Sequence, residues 1–347
     1  MLNVNIRKKL GEFNLQVEFS IADERMAILG ASGCGKSMTL KCIAGIETPD
    51  FGRIVLNDKV LFDSNKGINL PPQKRHVGYL FQNYALFPNM TVAENIGFAL
   101  AGNRNKEKTI REFIGKLRLN GLEDKYPWQL SGGQQQRTAL ARMLTLDTEI
   151  IMFDEPLSAL DSFLKWELEQ ELLELFANFD KPVLYVSHDR GEVYRLCDRI
   201  AILEKGAMIS FSSKYKLFEN PCTVTGTILT GCKNISAARC KNDSIVIAEE
   251  WGIELKISPG SVASKIKFVA VRAHSMTLKN NTCDNVYSGQ IVNVIEDVLD
   301  WIVLLKLAPN SPKLFRWVIN KKEAPILEKG AFVDVGVATE NVIFLEH

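Results

Sequence analysis

Long apolar runs are missing from this chain of 347 residues. No stretch approaches the roughly 18 consecutive apolar residues that a transmembrane helix needs. The longest runs, such as 150–153 and 301–305, are typical of buried strands. The N-terminus, MLNVNIRKKLGEF, carries basic residues but lacks the apolar segment of a secretory signal. The sequence therefore predicts neither a membrane span nor secretion.

An excess of charge of one sign is also absent. Lys and Arg total 42 against 41 Asp and Glu, which gives a net charge of +1. A protein that binds nucleic acid or anionic lipid through its overall charge would be more basic. Hydrophobic residues make up 46% and charged residues 24%, which excludes a disordered or coiled-coil chain. At roughly 150 residues per domain, the length predicts two domains.

Paired cysteines are a third absence. The sequence has seven cysteines, an odd number, at wide spacings and with no CxxC pair. Zinc sites and disulfide frameworks both need closer or paired spacing. We therefore expect reduced thiols in or near hydrophobic cores.

Strand and helix patterns alternate through residues 1–220. Residues 13–21 alternate apolar and polar side chains, which predicts a half-buried antiparallel strand. Short apolar runs without alternation are typical of strands buried on both faces, and they lie at 26–29, 77–81, 149–153 and 183–186. Helical segments are predicted at 36–44, 92–99, 106–117, 134–145 and 161–176, and a hairpin over 198–211 closes the set. This order predicts an α/β layered domain.

The pattern changes after Pro221. Convincing amphipathic helices are absent there, and turn signals at 258–260, 309–312 and 329–330 separate short β-rich segments. Strands are predicted at 244–248, 252–257, 266–271, 288–294, 301–307, 314–319, 332–337 and 341–345. We therefore expect an α/β domain over 1–222, followed by a small all-β barrel over 226–347.

A phosphate-binding loop is the strongest chemical motif. Residues 30–37, GASGCGKS, fit the pattern GxxxxGK[ST] after a predicted strand and before a predicted helix. Backbone N–H groups of such a loop and the positive end of the following helix favour phosphate. Lys36 is expected to hold the β- and γ-phosphates of ATP, and Ser37 to ligate Mg²⁺ through its hydroxyl.

Two carboxylates end a later buried strand. The segment IIMFDE places Asp154 and Glu155 at the carboxyl edge of the sheet, where ligands of α/β proteins bind. Asp154 is expected to hold Mg²⁺, directly or through a water molecule, and Glu155 to act as general base on the attacking water. An acidic pair at a strand end can also be merely solvated; the phosphate-binding loop upstream favours the catalytic interpretation.

A second glycine-rich segment, LSGGQ at 130–134, precedes a predicted helix. With it, residues 1 to about 220 resemble the ATPase subunit of an ATP-binding cassette (ABC) transporter. The other motifs of that family follow in order: Gln82 in YLFQN matches the Q-loop, SALD at 158–161 the D-loop, and His188 in VSHD the switch histidine. The resemblance implies a P-loop ABC ATPase fold, with an antiparallel β subdomain and a helical subdomain at about 84–148.

The resemblance also implies a set of site residues. Glu155, His188 and Gln82 are the expected catalytic residues, and Gln82 joins Ser37 and Asp154 as an expected contact of Mg²⁺. ATP is expected to contact both glycine-rich segments and the D-loop. The residues concerned are Gly30, Ala31, Ser32, Gly33, Cys34, Gly35, Lys36, Ser37, Met38, Ser131, Gly132, Gly133, Gln134 and Asp161.

A homodimer follows from the same resemblance. In the family, Ser131, Gly133 and Gln134 reach the γ-phosphate of ATP bound to the phosphate loop of a second subunit. Two ATP molecules are then sandwiched head to tail at an isologous interface. Hydrolysis requires the closed dimer, and its opening after phosphate release drives the membrane subunits.

The segment 83–98, NYALFPNMTVAENIGF, resembles importer ATPases. Tyr84, Leu86, Phe87, Pro88 and Met90 are expected to form an apolar, partly exposed surface that receives a helix of the permease. Packing within the helical subdomain is the alternative. The resemblance implies integral membrane permease subunits, indirectly an extracytoplasmic solute-binding protein, and a peripheral location at the cytoplasmic face of the membrane.

The C-terminal segment resembles the OB-like regulatory (TOBE) domain of ATPases for sugars, polyamines, sulfate and molybdate. The whole pattern, including 36–40 and 231–236, is most similar to the sulfate/molybdate type, which implies molybdate, tungstate or sulfate as cargo. Import of iron, a polyamine, a sugar or a phosphonate stays open. A further hypothesis is that this domain binds the imported oxyanion, with solvated surface residues as the alternative. The donors for such a site are Lys233, Ser236, Arg272, His274 and Ser275.

Nucleic acid is an alternative partner, because OB-like barrels also bind oligonucleotides. Residues 226–347 hold 14 Lys and Arg against 13 Asp and Glu, without a basic stripe interleaved with aromatics. Soluble ABC proteins of that class usually carry two cassettes in one chain, and this chain has one. We therefore expect no nucleic acid partner.

Overall fold

The computed structural model divides into two units, Met1–Lys214 and Tyr215–His347. It describes residues 1–100, 105–158, 160–177, 179–257, 265–279 and 283–346. The predicted turn at 258–260 and Ala159 of the expected D-loop lie outside these ranges. The domain limits expected from the sequence, 1–222 and 226–347, stay a prediction.

A mixed sheet forms the centre of the N-terminal unit. Its strands are β1 (Leu2–Leu10), β2 (Phe13–Ile21), β3 (Arg25–Leu29), β4 (Phe51–Leu56), β5 (Lys59–Asp63), β6 (Ile68–Asn69), β7 (Val77–Leu80), β8 (Ile150–Asp154), β9 (Val183–Ser187), β10 (Arg199–Glu204) and β11 (Ala207–Ser213). Within the described residues, the strand order is β6-β5-β4-β1-β2-β11-β10-β3-β9-β8-β7. The strands from β6 to β2 pair antiparallel, whereas those from β10 to β7 pair parallel.

Helices connect and cover this sheet. They are α1 (Lys36–Ala44), α2 (Val92–Gly97), α3 (Lys106–Lys116), α4 (Gly132–Leu144), α5 (Ser162–Ala177) and α6 (Arg190–Leu196), and α7 (Lys214–Glu219) begins at the end of the unit. Short 3₁₀ turns lie at Pro72–Lys74, Phe98–Leu100 and Pro127–Gln129. Helices α2, α3 and α4 lie between β7 and β8, where the family resemblance implied a helical subdomain. The α/β prediction is confirmed.

The parallel strands position the site. Every residue of β8 and β9 is buried, as expected for strands covered on both faces. The carboxyl ends of β3, β9, β8 and β7 meet at one edge of the sheet. The loops that follow these four strands carry the predicted phosphate loop, His188, the acidic pair and Gln82, in that spatial order.

The C-terminal unit is built from antiparallel strands. They are β12 (Asn234–Asn242), β13 (Ile245–Ala248), β14 (Ile253–Lys256), β15 (Phe268–Val271), β16 (Thr277–Leu278), β17 (Asn285–Glu296), β18 (Asp300–Lys306), β19 (Phe315–Asn320), β20 (Phe332–Val337) and β21 (Val342–Leu345). In the part of this unit that the structure describes, they form two five-stranded sheets, β14-β13-β12-β15-β21 and β16-β20-β17-β18-β19. A core that includes Trp251, Phe315 and Trp317 fills it. A short helix, α8 (Val224–Leu229), lies where the sequence predicted no helix.

Candidate active site

The loop between β3 and α1 takes a shape that its glycines permit. Gly33 and Gly35 have positive φ angles of 77° and 108°, a region that residues with a Cβ disfavour. Gly30 is required for space, because a Cβ there would lie 2.4 Å from the backbone oxygen of Leu203. Residues 31–33 at the tip are exposed. Backbone N–H groups near the start of α1 are therefore accessible to an anion.

Lys36 is the cation at the centre of this loop. Its side chain is only 5% exposed, and its Nζ donates hydrogen bonds to the backbone oxygens of Gly30 at 2.8 Å and Ala31 at 3.0 Å. The same ammonium lies 3.7 Å from a carboxylate oxygen of Glu155. A buried ammonium held this loosely by a carboxylate can exchange that partner for a phosphate oxygen.

Asp154, the last residue of β8, accepts two hydrogen bonds. The Ser37 Oγ donates to its Oδ1 at 2.8 Å, and the Tyr79 hydroxyl of the adjacent strand β7 donates to its Oδ2 at 2.9 Å. The structure thus brings together two of the three predicted magnesium contacts and adds a tyrosine that sequence reasoning missed. Burial, reinforced by the Asp154 charge, raises the pKa of Tyr79 above its ordinary value. The available signal was a phenol on a predicted buried strand, where it needs a polar partner.

Glu155 lies directly after β8 and faces His188. One carboxylate oxygen is 3.2 Å from the His188 Nδ1, and the other is the partner of Lys36. The backbone of Glu155 is left-handed, with a φ of 47°, and its N–H donates to the Val186 oxygen at 2.9 Å. Such a conformation costs a non-glycine residue about 1–3 kcal/mol and is concentrated at functional sites. It directs the carboxylate between the ammonium and the imidazole.

A buried hydrogen-bond network supports β9, the strand that precedes His188. The carboxylate of Glu192 accepts from the Tyr185 hydroxyl at 3.0 Å and from the Ser187 Oγ at 2.8 Å, and Lys165 lies 2.7 Å from it. Lys165 also donates to Asp189 at 2.6 Å. Burial acts to raise the pKa of Asp189, but hydrogen bonds from Lys165 and the backbone outweigh it and lower that pKa. Sequence reasoning missed this network, which joins β9, α5 and α6.

The second glycine-rich segment caps α4. The Ser131 Oγ accepts from the Gln134 N–H at 3.3 Å, and the Gln134 Oε1 accepts from the Ser131 N–H at 2.9 Å, which is a capping box. A Cβ at Gly132 or Gly133 would come no closer than 3.8 Å to Leu160 or Leu164. Packing within the described part of the chain therefore does not explain these two glycines.

Four other expected site residues have different surroundings. Gln82 is exposed, two residues beyond the end of β7. The Oδ1 of Asp161 accepts two backbone N–H groups of the first turn of α5, each at 3.0 Å. Met38 is half-buried against the main core. The Cys34 side chain is buried, and burial raises the pKa of its thiol, so it fills space in the loop as a neutral group.

The segment after the Q-loop is fixed from two helices. Arg142 of α4 donates to the backbone oxygens of Tyr84 at 2.9 Å and Ala85 at 2.7 Å, and its guanidinium lies 5.2 Å from the centre of the Phe87 ring. Asn95 of α2 accepts from the Phe87 N–H at 2.9 Å and donates to nearby carbonyl groups. These hydrogen bonds give the segment a defined backbone conformation.

The expected apolar surface on this segment needs one correction. Tyr84 was expected on it, but its side chain is buried, and its hydroxyl donates to the Gln136 Oε1 at 3.3 Å. Pro88 is exposed. The half-buried members are Leu86, Phe87 and Met90.

Two of the five donors expected for an oxyanion in the C-terminal unit have internal partners. Ser236 is fully buried, and its Oγ accepts from the Glu250 N–H at 2.9 Å. The Arg272 guanidinium donates to the backbone oxygens of Phe218 and, at 3.1 Å, Thr230. Two of the five expected donors are thus engaged within the unit itself, and the oxyanion site stays a prediction.

Comparison with known proteins agrees with this geometry. The profile of the ABC transporter family matches residues 14–158. The molybdenum import ATP-binding protein ModC of Haemophilus ducreyi is 43% identical over 215 residues, 61% of this chain and 60% of that protein. The trehalose/maltose import ATP-binding protein MalK of Thermococcus litoralis is 35% identical over 275 residues, 77% of this chain and 74% of that protein. The chain thus spans about three fifths of the molybdenum relative's length.

A solved structure shows the same fold. The ATP-binding cassette MJ0796, as a dimer in a post-hydrolysis state with ADP and phosphate, is 29% identical to the matched region, with a TM-score of 0.54. The match covers 62% of this chain and 99% of that chain. From the family profile, the maltose-type relative and this fold, we conclude that the chain belongs to the ABC transporter family.

Proposed function

We propose that this chain is the ATP-hydrolysing subunit of an ABC importer. The observation that carries the proposal is the meeting of Lys36, Glu155 and His188 at one point of the sheet edge, beside the pair of Ser37 and Asp154. A phosphate-binding loop, a general base and an imidazole are the groups that hydrolysis of a nucleoside triphosphate needs.

Each of these side chains has a definite task in the proposed reaction. The γ-phosphate replaces Glu155 as the partner of Lys36, which releases one carboxylate oxygen toward the attacking water. Glu155 then accepts the proton of that water, while His188 on its other oxygen contacts the γ-phosphate. General-base catalysis of this kind contributes about 10²–10⁴-fold.

The residues present fit Mg²⁺. Ser37 and Asp154 offer a hydroxyl and a carboxylate oxygen 2.8 Å apart, and such hard donors suit this cation. No group of three or more His, Cys, Asp or Glu side chains that could hold a metal occurs among the described residues. Gln82, phosphate oxygens of ATP and water are the proposed remaining ligands, and phosphate and water are usual for Mg²⁺ at phosphoryl-transfer sites. When bound, the ion neutralises charge on the phosphates.

A head-to-tail homodimer is part of the proposal. A Cβ at Gly132 or Gly133 of α4 would meet only ordinary contacts at 3.8 Å or more, so packing in the described chain requires neither glycine. Ser131 and Gln134 present the start of that helix, where partial positive charge favours an anion. The γ-phosphate on a second subunit is the anion that we place there. The dimeric solved relative, with ADP and phosphate, supports this assembly.

A permease is the proposed membrane partner. Within the ranges that the structure describes, no helix is long and apolar enough to cross a membrane. The fixed segment around Phe87, Pro88 and Met90 is the proposed docking surface, and it follows the Q-loop directly. We further propose a peripheral location at the cytoplasmic face of the membrane and an extracytoplasmic solute-binding protein as an indirect partner.

The proposed cargo is an oxyanion: molybdate, tungstate or sulfate. Relatives named for import of molybdenum and of sulfate/thiosulfate are 43% and 38% identical, and relatives named for import of Fe(3+) ions and spermidine/putrescine are 40% and 37% identical. Import of iron, a polyamine or a sugar is the alternative that these names support.

An uptake experiment tests the activity and the cargo separately. The chain is purified with its co-purifying permease and reconstituted in vesicles, and uptake of molybdate, sulfate, ferric iron, spermidine and maltose is measured with ATP. We expect ATP-dependent uptake of an oxyanion, abolished by Lys36→Ala. Uptake of iron, spermidine or maltose alone would overturn the cargo and leave the ATPase, whereas absence of ATP hydrolysis would overturn both.

Truncation tests where the ATPase ends. A chain of residues 1–222 contains the whole mixed sheet and every motif described above. We expect it to fold and to bind Mg·ATP with a dissociation constant within about threefold of that of the full chain. The reason is that a domain with its own core folds and binds its ligand independently of its neighbour. Isothermal titration of both chains with Mg·ATP gives the answer. Loss of binding in the truncated chain alone would show that the domain limit is misplaced.

A further inference from the structure

We propose that Tyr79 is a positioning residue that sets the orientation of the Asp154 carboxylate for metal binding. This inference rests on the proposed ATPase function. The Tyr79 hydroxyl donates to one oxygen of Asp154 at 2.9 Å, and Ser37 donates to the other at 2.8 Å. One oxygen of the carboxylate therefore faces Ser37, while the other accepts the hydrogen bond from Tyr79.

The strand pairing produces this contact. Strands β7 and β8 are parallel, and Tyr79 pairs with Met152, two residues before Asp154. Side chains two residues apart lie on the same face of a strand, so the tyrosine ring reaches along the sheet to the end of β8. The ring also packs 4.3 Å from the ring of Phe81, measured between centroids, and against the main core. The hydroxyl is thus held in place by packing as well as by its acceptor.

The hydrogen bond from Tyr79 restricts rotation of the Asp154 carboxylate. The terminal torsion of an aspartate is broad, so a carboxylate without a second partner samples many orientations. Partners that orient metal-binding side chains typically contribute 10–100-fold to metal affinity. The task of Tyr79 is therefore to keep one Asp154 oxygen beside Ser37 before Mg·ATP arrives.

Tyr79→Phe in the full-length protein is the test. It removes one hydroxyl and keeps the ring. Binding of a fluorescent ATP analogue is measured in EDTA and then across a Mg²⁺ titration, and Mn²⁺ binding is followed by electron paramagnetic resonance. We expect the Mg²⁺ and Mn²⁺ concentrations for half-saturation to rise about tenfold, with binding in EDTA unchanged.

Tyr185→Phe is the matched control. Tyr185 lies on the neighbouring strand β9, is fully buried and also donates to a carboxylate, that of Glu192, at 3.0 Å. The substitution removes the same hydroxyl from the same sheet without touching Asp154. We expect its Mg²⁺ dependence to match that of the unmodified protein, with both variants checked for folding by circular dichroism.

Two further results decide the proposal. A normal Mg²⁺ dependence in Tyr79→Phe, or an equal loss of binding in EDTA, would overturn the positioning role. In the Asp154→Asn background, Tyr79→Phe should add no change in metal dependence, since both residues act through one carboxylate; additive losses would contradict this. If the unmodified protein binds ATP with no response to Mg²⁺, the proposed ATPase function fails instead, before the variant is considered.

Discussion

Substituting glutamine for Glu155 is expected to leave ATP binding intact and to slow hydrolysis by about 10²–10⁴-fold. Glutamine keeps the shape of the side chain but does not accept a proton from water. Lys36 also loses a carboxylate partner at 3.7 Å, so the phosphate loop keeps its full attraction for ATP. The variant should therefore accumulate as an ATP-bound dimer.

Single-turnover hydrolysis and size-exclusion chromatography with Mg·ATP measure both effects. Glu149→Gln is the matched control, because Glu149 precedes β8 at the opposite end and its carboxylate accepts from the Asn57 side chain at 3.0 Å. That variant should hydrolyse ATP at the normal rate. Near-normal turnover in Glu155→Gln would remove Glu155 from the role of general base.

The convergence of the main candidate residues could be predicted because each lies at the end of, or after, a strand that the sequence marks clearly. Apolar runs identify β3, β8 and β9, and the motifs directly after them carry Lys36, Asp154, Glu155 and His188. Carboxyl ends of parallel strands meet at one edge, so the motifs had to converge. The contacts between Lys36, Glu155 and His188 are the geometric result.

The finer features of the site could not be predicted, because they depend on register and backbone conformation. The contact of Tyr79 with Asp154 exists only because Tyr79 is paired with Met152 rather than with a neighbour of Met152. The left-handed backbone of Glu155 could not be predicted either, because glutamate rarely adopts this conformation and nothing in the local sequence marks it. Local patterns do not contain such information.

Two elements show where local patterns fail in the fold. Strand β1 was not predicted, since its sequence LNVNIRKKL carries a basic run near its end, yet it pairs along its length with β2 and over Leu2–Arg7 with β4. Helix α8 is six residues long, too short for a helical period to appear. Its N-cap is Thr223, whose hydroxyl accepts from the Gly226 N–H. Long-range pairing produced the first element and a capping residue the second.

A substitution in the second glycine-rich segment, 130–134, is expected to reduce ATP hydrolysis about as strongly as Glu155→Gln. In Gly133→Asp, the new Cβ would lie 3.8 Å from Leu164, an ordinary contact distance within the chain. In the proposed dimer, its carboxylate would face the γ-phosphate on the other subunit, and like charges in an interface cost several kcal/mol. We expect hydrolysis to fall at least about hundredfold, with ATP binding to each subunit's own phosphate loop unchanged.

Subunit mixing shows whether the two segments act across the dimer. Gly115→Asp is the control, since Gly115 lies on α3 with nothing near its Cβ position, and it should dimerise and hydrolyse ATP normally. Gly133→Asp and Lys36→Ala should each be inactive alone. A one-to-one mixture should recover about a quarter of the normal rate, because half the dimers then pair an intact phosphate loop with an intact glycine-rich segment at one of two sites. Two segments that served the same subunit would give no recovery, since every chain in the mixture would carry a defect in its own site.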